Sequence, residues 1–144
     1  MTRLHAVVFA ALLLPIAATV ASAADLTITI KNVRSSDGDV YLAVYDSEAS
    51  FMKLQLAKAT RKSSASKGEM KFVIHDLPAG KYAVSSYHDE NGNGKLDTNP
   101  LGIPTEGYGF SKDARGTFGP PEFVHAAFDF DGKNEQSIAF SLGY

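Results

Sequence analysis

The chain has 144 residues, 14 of them basic and 16 acidic, and no cysteine. That length suits one domain with a single core. The slight acidic excess argues against a nucleic-acid partner, and the missing cysteines exclude disulfides, thiolate catalysis and cysteine-bound zinc.

Residues 1–24 read as a secretory signal peptide. A basic start at Thr2-Arg3 leads into an apolar block from Ala6 to Val20 and then into Ala21-Ser22-Ala23-Ala24, which suits cleavage after Ala23 or Ala24. The block is interrupted by Pro15 and is shorter than the ~20 residues of a membrane span, so no transmembrane segment is expected after cleavage. Without Arg3 the remaining chain carries 13 basic against 16 acidic residues, formally −3. These features predict a periplasmic or secreted protein whose mature part, 25–144, is one domain and a monomer.

Strict alternation of Leu26, Ile28 and Ile30 with polar neighbours predicts a strand over 25–33. Asp37-Gly38 precedes a second run, Val40 to Tyr45, and an Asp-Gly between alternating runs predicts an antiparallel hairpin. Over 46–56 the alternation lapses and a short helical turn is expected. Lys58 to Gly68 is polar and reads as an edge strand whose charges deter pairing with other chains. Met70, Phe72 and Ile74 resume the alternation. The turn Leu77-Pro78-Ala79-Gly80 then leads into a central strand over 81–88.

For about 30 residues the pattern then dissolves, and residues 89–121 hold seven of the twelve glycines and four of the six prolines. Alternation returns at Phe123–Phe130 and at Ser137–Leu142. Six or seven short strands without a long helix predict an all-β sandwich, Ig-like or transthyretin-like, with one long Gly/Pro-rich loop.

The loop opens with Asp89-Glu90-Asn91-Gly92-Asn93-Gly94-Lys95-Leu96-Asp97, the spacing of the front half of a calcium-binding EF-hand loop. Calcium takes six to eight oxygens, so side chains at alternate positions wrap one side of the ion. Asp89, Asn91 and Asn93 fill the first three places, the Lys95 carbonyl the next, and Asp97 binds directly or through water. Leu96 is expected in the core. Pro100 stands where an EF-hand has its bidentate glutamate, and neither flank reads as a helix, so the last carboxylate must come from Glu106, Asp113 or Glu90, with Glu106 preferred. Two firm carboxylates imply weak binding, about 10⁻⁴ to 10⁻³ M. The competing reading is a solvated turn, because Asp, Asn and Gly are ordinary turn residues.

His88-Asp89 through Asn93-Gly94, the string Gly102-Ile103-Pro104-Thr105-Glu106-Gly107-Tyr108-Gly109-Phe110-Ser111, the turn 77–82 and Gly119-Pro120-Pro121 with Phe123 together resemble the bacterial family called domain of unknown function 2141. The resemblance covers about residues 26–142 and implies an exported protein without an assigned activity. The turn, strand and Asp-Asn loop are also similar to transthyretin-like and collagen-adhesin B-type modules, which are structural or binding units; this analogy concerns the fold alone.

Three histidines lie outside the leader: His75, His88 and His125. No nucleophile elbow is present. Tyr108, Phe110, Phe118 and Phe123 in the long loop either form a ligand platform or fold back to close the sandwich. Three functions follow as expectations: a binding module with a calcium-stabilised loop facing an envelope or extracellular ligand, a hydrolytic or metal-dependent enzyme using His88, Asp89 and Glu106, or a passive structural envelope protein.

Overall fold

The computed structural model describes residues 22–144. All but the last three residues of the expected signal peptide therefore lie outside the described residues. Among the described residues, no helix is long and apolar enough to cross a membrane.

The chain is an all-β sandwich of a three-stranded and a five-stranded sheet. The strands are β1 (Ala23–Val33), β2 (Asp39–Tyr45), β3 (Ala59–Ser64), β4 (Gly68–Pro78), β5 (Gly80–Asp89), β6 (Gly107–Phe110), β7 (Phe128–Phe130) and β8 (Gln136–Ser141), with one helical turn, α1 (Phe123–Ala126). The small sheet runs β4-β1-β8, with β1 antiparallel to β4 and parallel to β8. The large one runs β3-β2-β5-β6, and β7 pairs with the start of β5.

The core forms between the two inner faces. Leu26, Ile28 and Ile30 of β1, with Phe72 and Phe140 of its neighbours, meet Val40, Leu42 and Val44 of β2 and Val84 of β5. Period-two alternation is what lets each strand present one such face. Each of these side chains contributes about 1.5–3 kcal/mol by leaving water.

The expected hairpin between the first two strands does not form. β1 pairs with β4 and β8, while β2 pairs with β3 and β5. Segment 34–38 therefore crosses from one sheet to the other. Alternation cannot separate the two arrangements, because strands stacked across a core bury the same alternate residues as strands paired side by side. Gly38 uses its positive φ of 66° to pass close to the end of β5, where an added Cβ would lie 1.9 Å from the Asp89 carbonyl oxygen. The turn at 77–80 likewise joins the two sheets, and the Tyr82 hydroxyl pins it by donating to the Pro78 carbonyl at 2.9 Å.

The polar stretch does form the edge strand β3, and β5 is interior to its sheet. The helical turn in 46–56 is present as an i to i+4 hydrogen bond from the Phe51 N–H to the Ser47 carbonyl at 3.0 Å, followed by a 3₁₀ turn over Leu54–Leu56. Only 128–130 of the expected strand 123–130 is extended. Residues 123–126 are helical because Phe123, Ala126 and Ala127 are spaced i, i+3, i+4, which also suits a helical turn resting on a sheet. The further strand is β6, inside the long loop.

Candidate metal-binding loop and the cleft beside it

The central strand β5 delivers Asp89 at its end, where the side chain is fully buried. Its two carboxylate oxygens accept the backbone N–H groups of Asn93 at 3.0 Å and Gly94 at 2.7 Å. Gly92 and Gly94 adopt φ of 72° and 83°, which lets the backbone curl around that carboxylate. Asn91 Oδ1 accepts from the Asn93 N–H, and Asn93 Oδ1 accepts from the Lys95 N–H, both at 3.1 Å. The Nδ2 groups of Asn91 and Asn93 both donate to Asp97 Oδ2, at 2.6 and 2.8 Å. Those amides hold the Asp97 carboxyl below its ordinary range, Asn93 contributing most. The Lys95 ammonium stands 3.9 Å from Asp97 Oδ1.

Glu106 closes the base of the loop. With 6 % of its surface exposed, its two oxygens accept the N–H groups of Glu90 at 2.9 Å and Asp97 at 3.0 Å. Asp113 is engaged elsewhere, accepting the Ser141 N–H at 2.7 Å. Glu90 forms a two-pronged ion pair with Arg34, and this lowers its pKa. Of the three candidate carboxylates, only Glu106 bonds the loop backbone with its side chain.

Asp89, Asn91 and Asn93 carry side-chain oxygens on alternate residues, and Asp97 adds a carboxylate four residues on. Carboxylate oxygens that already accept one N–H keep lone pairs free, and rotating either amide exchanges its nitrogen for oxygen. Among the described residues no three His, Asp or Glu side chains are grouped to hold a metal. Oxygen donors of this kind suit a hard cation such as calcium, for which Asp89 and Asp97 would supply the charge and amide and carbonyl oxygens the remainder.

The histidines do not converge. His75 pairs with Asp25 at 2.8 Å on the surface, and His125 lies on α1. His88 is fully buried, with Nε2 2.7 Å from the Asp37 carbonyl and Nδ1 2.8 Å from the Tyr144 hydroxyl. Since a carbonyl only accepts, Nε2 carries a proton, and in the neutral ring Nδ1 accepts from Tyr144. Neither nitrogen is left over for proton transfer.

Sequence reasoning missed what lies on the outer face of the large sheet. Tyr41 of β2 and Tyr87 of β5 sit directly opposite each other and stack, ring centroids 4.8 Å apart and planes within 4°. Leu96 does not enter the core. It lines a cleft of about 800 Å³ over these tyrosines, with Tyr45, Met52 and Leu54. A second hollow of about 580 Å³ shares Met52 and Leu96 and continues to Leu101, Ile103 and Phe118. The Tyr87 hydroxyl donates to the Gly94 carbonyl at 3.2 Å, so the loop is fastened to the cleft wall. Burial pushes the Tyr87 pKa up to about 12, keeping that hydroxyl a donor. Of the loop aromatics, Phe110 is buried and Phe123 packs beside it, whereas Phe118 is fully exposed. The available signal was the second face of β2, where Tyr41, Ala43 and Tyr45 occupy positions that a solvated face fills with polar residues.

Fold and site together define a β-sandwich protein with an Asx-rich loop beside an apolar cleft. The chain belongs to the family of domain of unknown function 2141, described as an uncharacterized protein conserved in bacteria, whose model matches residues 28–138. No curated protein and no solved structure matches the chain.

Proposed function

We propose that the protein is an exported binding module, periplasmic or secreted, that takes an envelope or extracellular ligand in the cleft on its outer sheet face, beside a loop stiffened by calcium. The cleft carries this reading. Met52, Leu54, Leu101, Ile103 and Phe118 line this surface, are exposed and lie outside both buried hydrophobic clusters, and such surfaces mark interaction sites. Calcium enters through the spacing of Asp89, Asn91, Asn93, the Lys95 carbonyl and Asp97, with Glu106 at the base. Leu96 of the loop lines the cleft and the Gly94 carbonyl holds the hydroxyl of Tyr87, which lines it too, so ordering the loop orders one cleft wall.

Two measurements test the two parts. Melting temperature in millimolar calcium, against chelator, rises by mass action if the folded state binds the ion, and the rise disappears in Asp89→Ala. Equal melts in calcium and chelator make the loop a solvated turn. Nile red, a neutral dye that brightens in apolar surroundings, binds the cleft and is weakened by Met52→Ser. No brightening, or brightening indifferent to Met52→Ser, removes the cleft as a binding surface. Export predicts that the protein recovered outside the cytoplasm begins at Ala24 or Asp25.

A further inference from the structure

We infer that the ligand class of the cleft is a single-chain amphiphile with an anionic head, such as a fatty acid, lying with its head at the β3 edge and its tail toward Phe118. The inference rests on the binding-module reading above and adds the chemistry of the occupant.

Charge is the first argument. No acidic residue among those described lines either hollow, and the charged residues that border them are Arg61 and Lys62 at one end: Lys62, opposite Tyr41, shares the outer face, whereas Arg61, opposite the core-facing Leu42, borders the cleft from the strand edge. This holds in a chain with more acidic than basic residues. Lys62 Nζ lies 2.9 Å from Asp39 and 5.1 Å from the centroid of the Tyr41 ring, and Asp39 is the chief cause of its raised pKa. An ammonium has three protons, so this pairing leaves room for a second anion. Arg61 has no carboxylate partner among the described residues.

The second argument is shape and polarity. From β3 to β6 the floor crosses three inter-strand steps of about 4.8 Å, about 14 Å in all, before reaching the loops bearing Leu101, Ile103 and Phe118. A long apolar floor with cations at one end matches an extended chain with one acidic head. The cleft's hydrogen-bonding side chains, the hydroxyls of Tyr41, Tyr45, Tyr87 and Tyr108 with Gln55, Thr60, Ser85 and Thr117, leave most of the lining apolar, and the Tyr87 hydroxyl is already bonded to the Gly94 carbonyl. The side walls, from 52–55 and 96–104, make the site concave, which suits one molecule rather than a bilayer surface.

Displacement of Nile red from the purified protein decides this. Laurate competes at least about tenfold more tightly than dodecanol, the margin expected of one charge-assisted contact. In the double variant Arg61→Gln with Lys62→Gln the two become equal while Nile red still binds. Both positions are exposed on an edge strand, so the circular dichroism spectrum stays unchanged. If Nile red binds but laurate and dodecanol compete equally in the wild type, the amphiphile inference fails and the binding-module reading stands. If Nile red does not bind, both fail. A laurate preference that persists in the double variant puts the head elsewhere and also overturns the inference. So does co-sedimentation with anionic vesicles when monomeric laurate gives no displacement.

Discussion

Glu106 joins the two ends of the Asx-rich loop to each other, and its replacement is the most informative single perturbation. Its oxygens accept two backbone N–H groups sixteen and nine residues away, those of Glu90 and Asp97. In Glu106→Ala both donors lose their partner in a half-buried place, and a stranded donor costs about 1–3 kcal/mol. Water reaches part of this site, so the lower half of the range applies and the total is about 2–4 kcal/mol. In a domain of this size that lowers the melting temperature by roughly 6–16 °C. Glu106→Gln keeps one carbonyl oxygen but turns an NH₂ group toward a backbone N–H, so it loses one bond and falls between wild type and alanine. The assay is thermal unfolding in chelator, where no cation contributes, followed by hydrogen exchange of the Glu90 and Asp97 amides, which become faster in both variants. An alanine variant within about 2 °C of wild type, with unchanged exchange at both amides, refutes the reasoning and makes the Glu106 bridge incidental to the loop.

Gly38→Ala is expected to be strongly destabilising, because the new methyl meets the Asp89 carbonyl oxygen and the position keeps a positive φ; a chemical melt within about 0.5 kcal/mol of wild type contradicts this. Tyr144→Phe leaves the buried His88 Nδ1 without a donor and costs about 1–3 kcal/mol, read as a lower urea midpoint at unchanged slope. Asp131 accepts N–H groups from Asn134 and Lys133, and these hold its carboxyl at about 2 against an ordinary 3.8. Its stabilising effect is therefore full above its unfolded pKa and is lost as pH falls through the folded one. Asp131→Asn keeps an acceptor and removes the titration, so its melting temperature falls less between pH 4 and pH 2; parallel curves for variant and wild type contradict the assignment.

The elements whose side-chain period alone decides them were legible in the sequence. Leu26, Ile28 and Ile30 lie in β1, Met70, Phe72 and Ile74 in β4, and the charged edge falls on β3. Partnership was not legible. The same burial pattern serves a strand beside its neighbour and a strand across the core from it, so Asp37-Gly38 read as a hairpin when it is a crossing between sheets. β6 escaped because two of its four residues, Gly107 and Gly109, have no side chain to alternate. Those glycines are required by close approach: a Cβ on Gly107 would lie 2.3 Å from the Tyr144 ring, and one on Gly109 would lie 2.5 Å from the Ser141 carbonyl oxygen. For the loop, Asx spacing pointed to the residues that bond one another around Asp89 and Asp97, because alternate short polar side chains fold back on their own backbone. Leu96 reads as a core residue because an apolar side chain ordinarily has one destination, whereas this sheet has apolar residues on both faces.

That two-faced sheet explains why the loop and cleft belong together. β5 has β2 on one side and β6 on the other, so its inward residues Tyr82, Val84 and His88 serve the sandwich while Ala83, Ser85 and Tyr87 serve the outer face. The strand ends at Asp89, the residue around which the loop winds. Any change that reorders the loop therefore acts at the end of a rigid central strand and at Gly94, which accepts the Tyr87 hydroxyl within the cleft. Loops on such scaffolds are the usual place for recognition. The stacked tyrosines and the exposed Leu101 and Phe118 lie outside the sandwich core, and in the proposed binding module the coupling of loop to cleft would give both a common purpose.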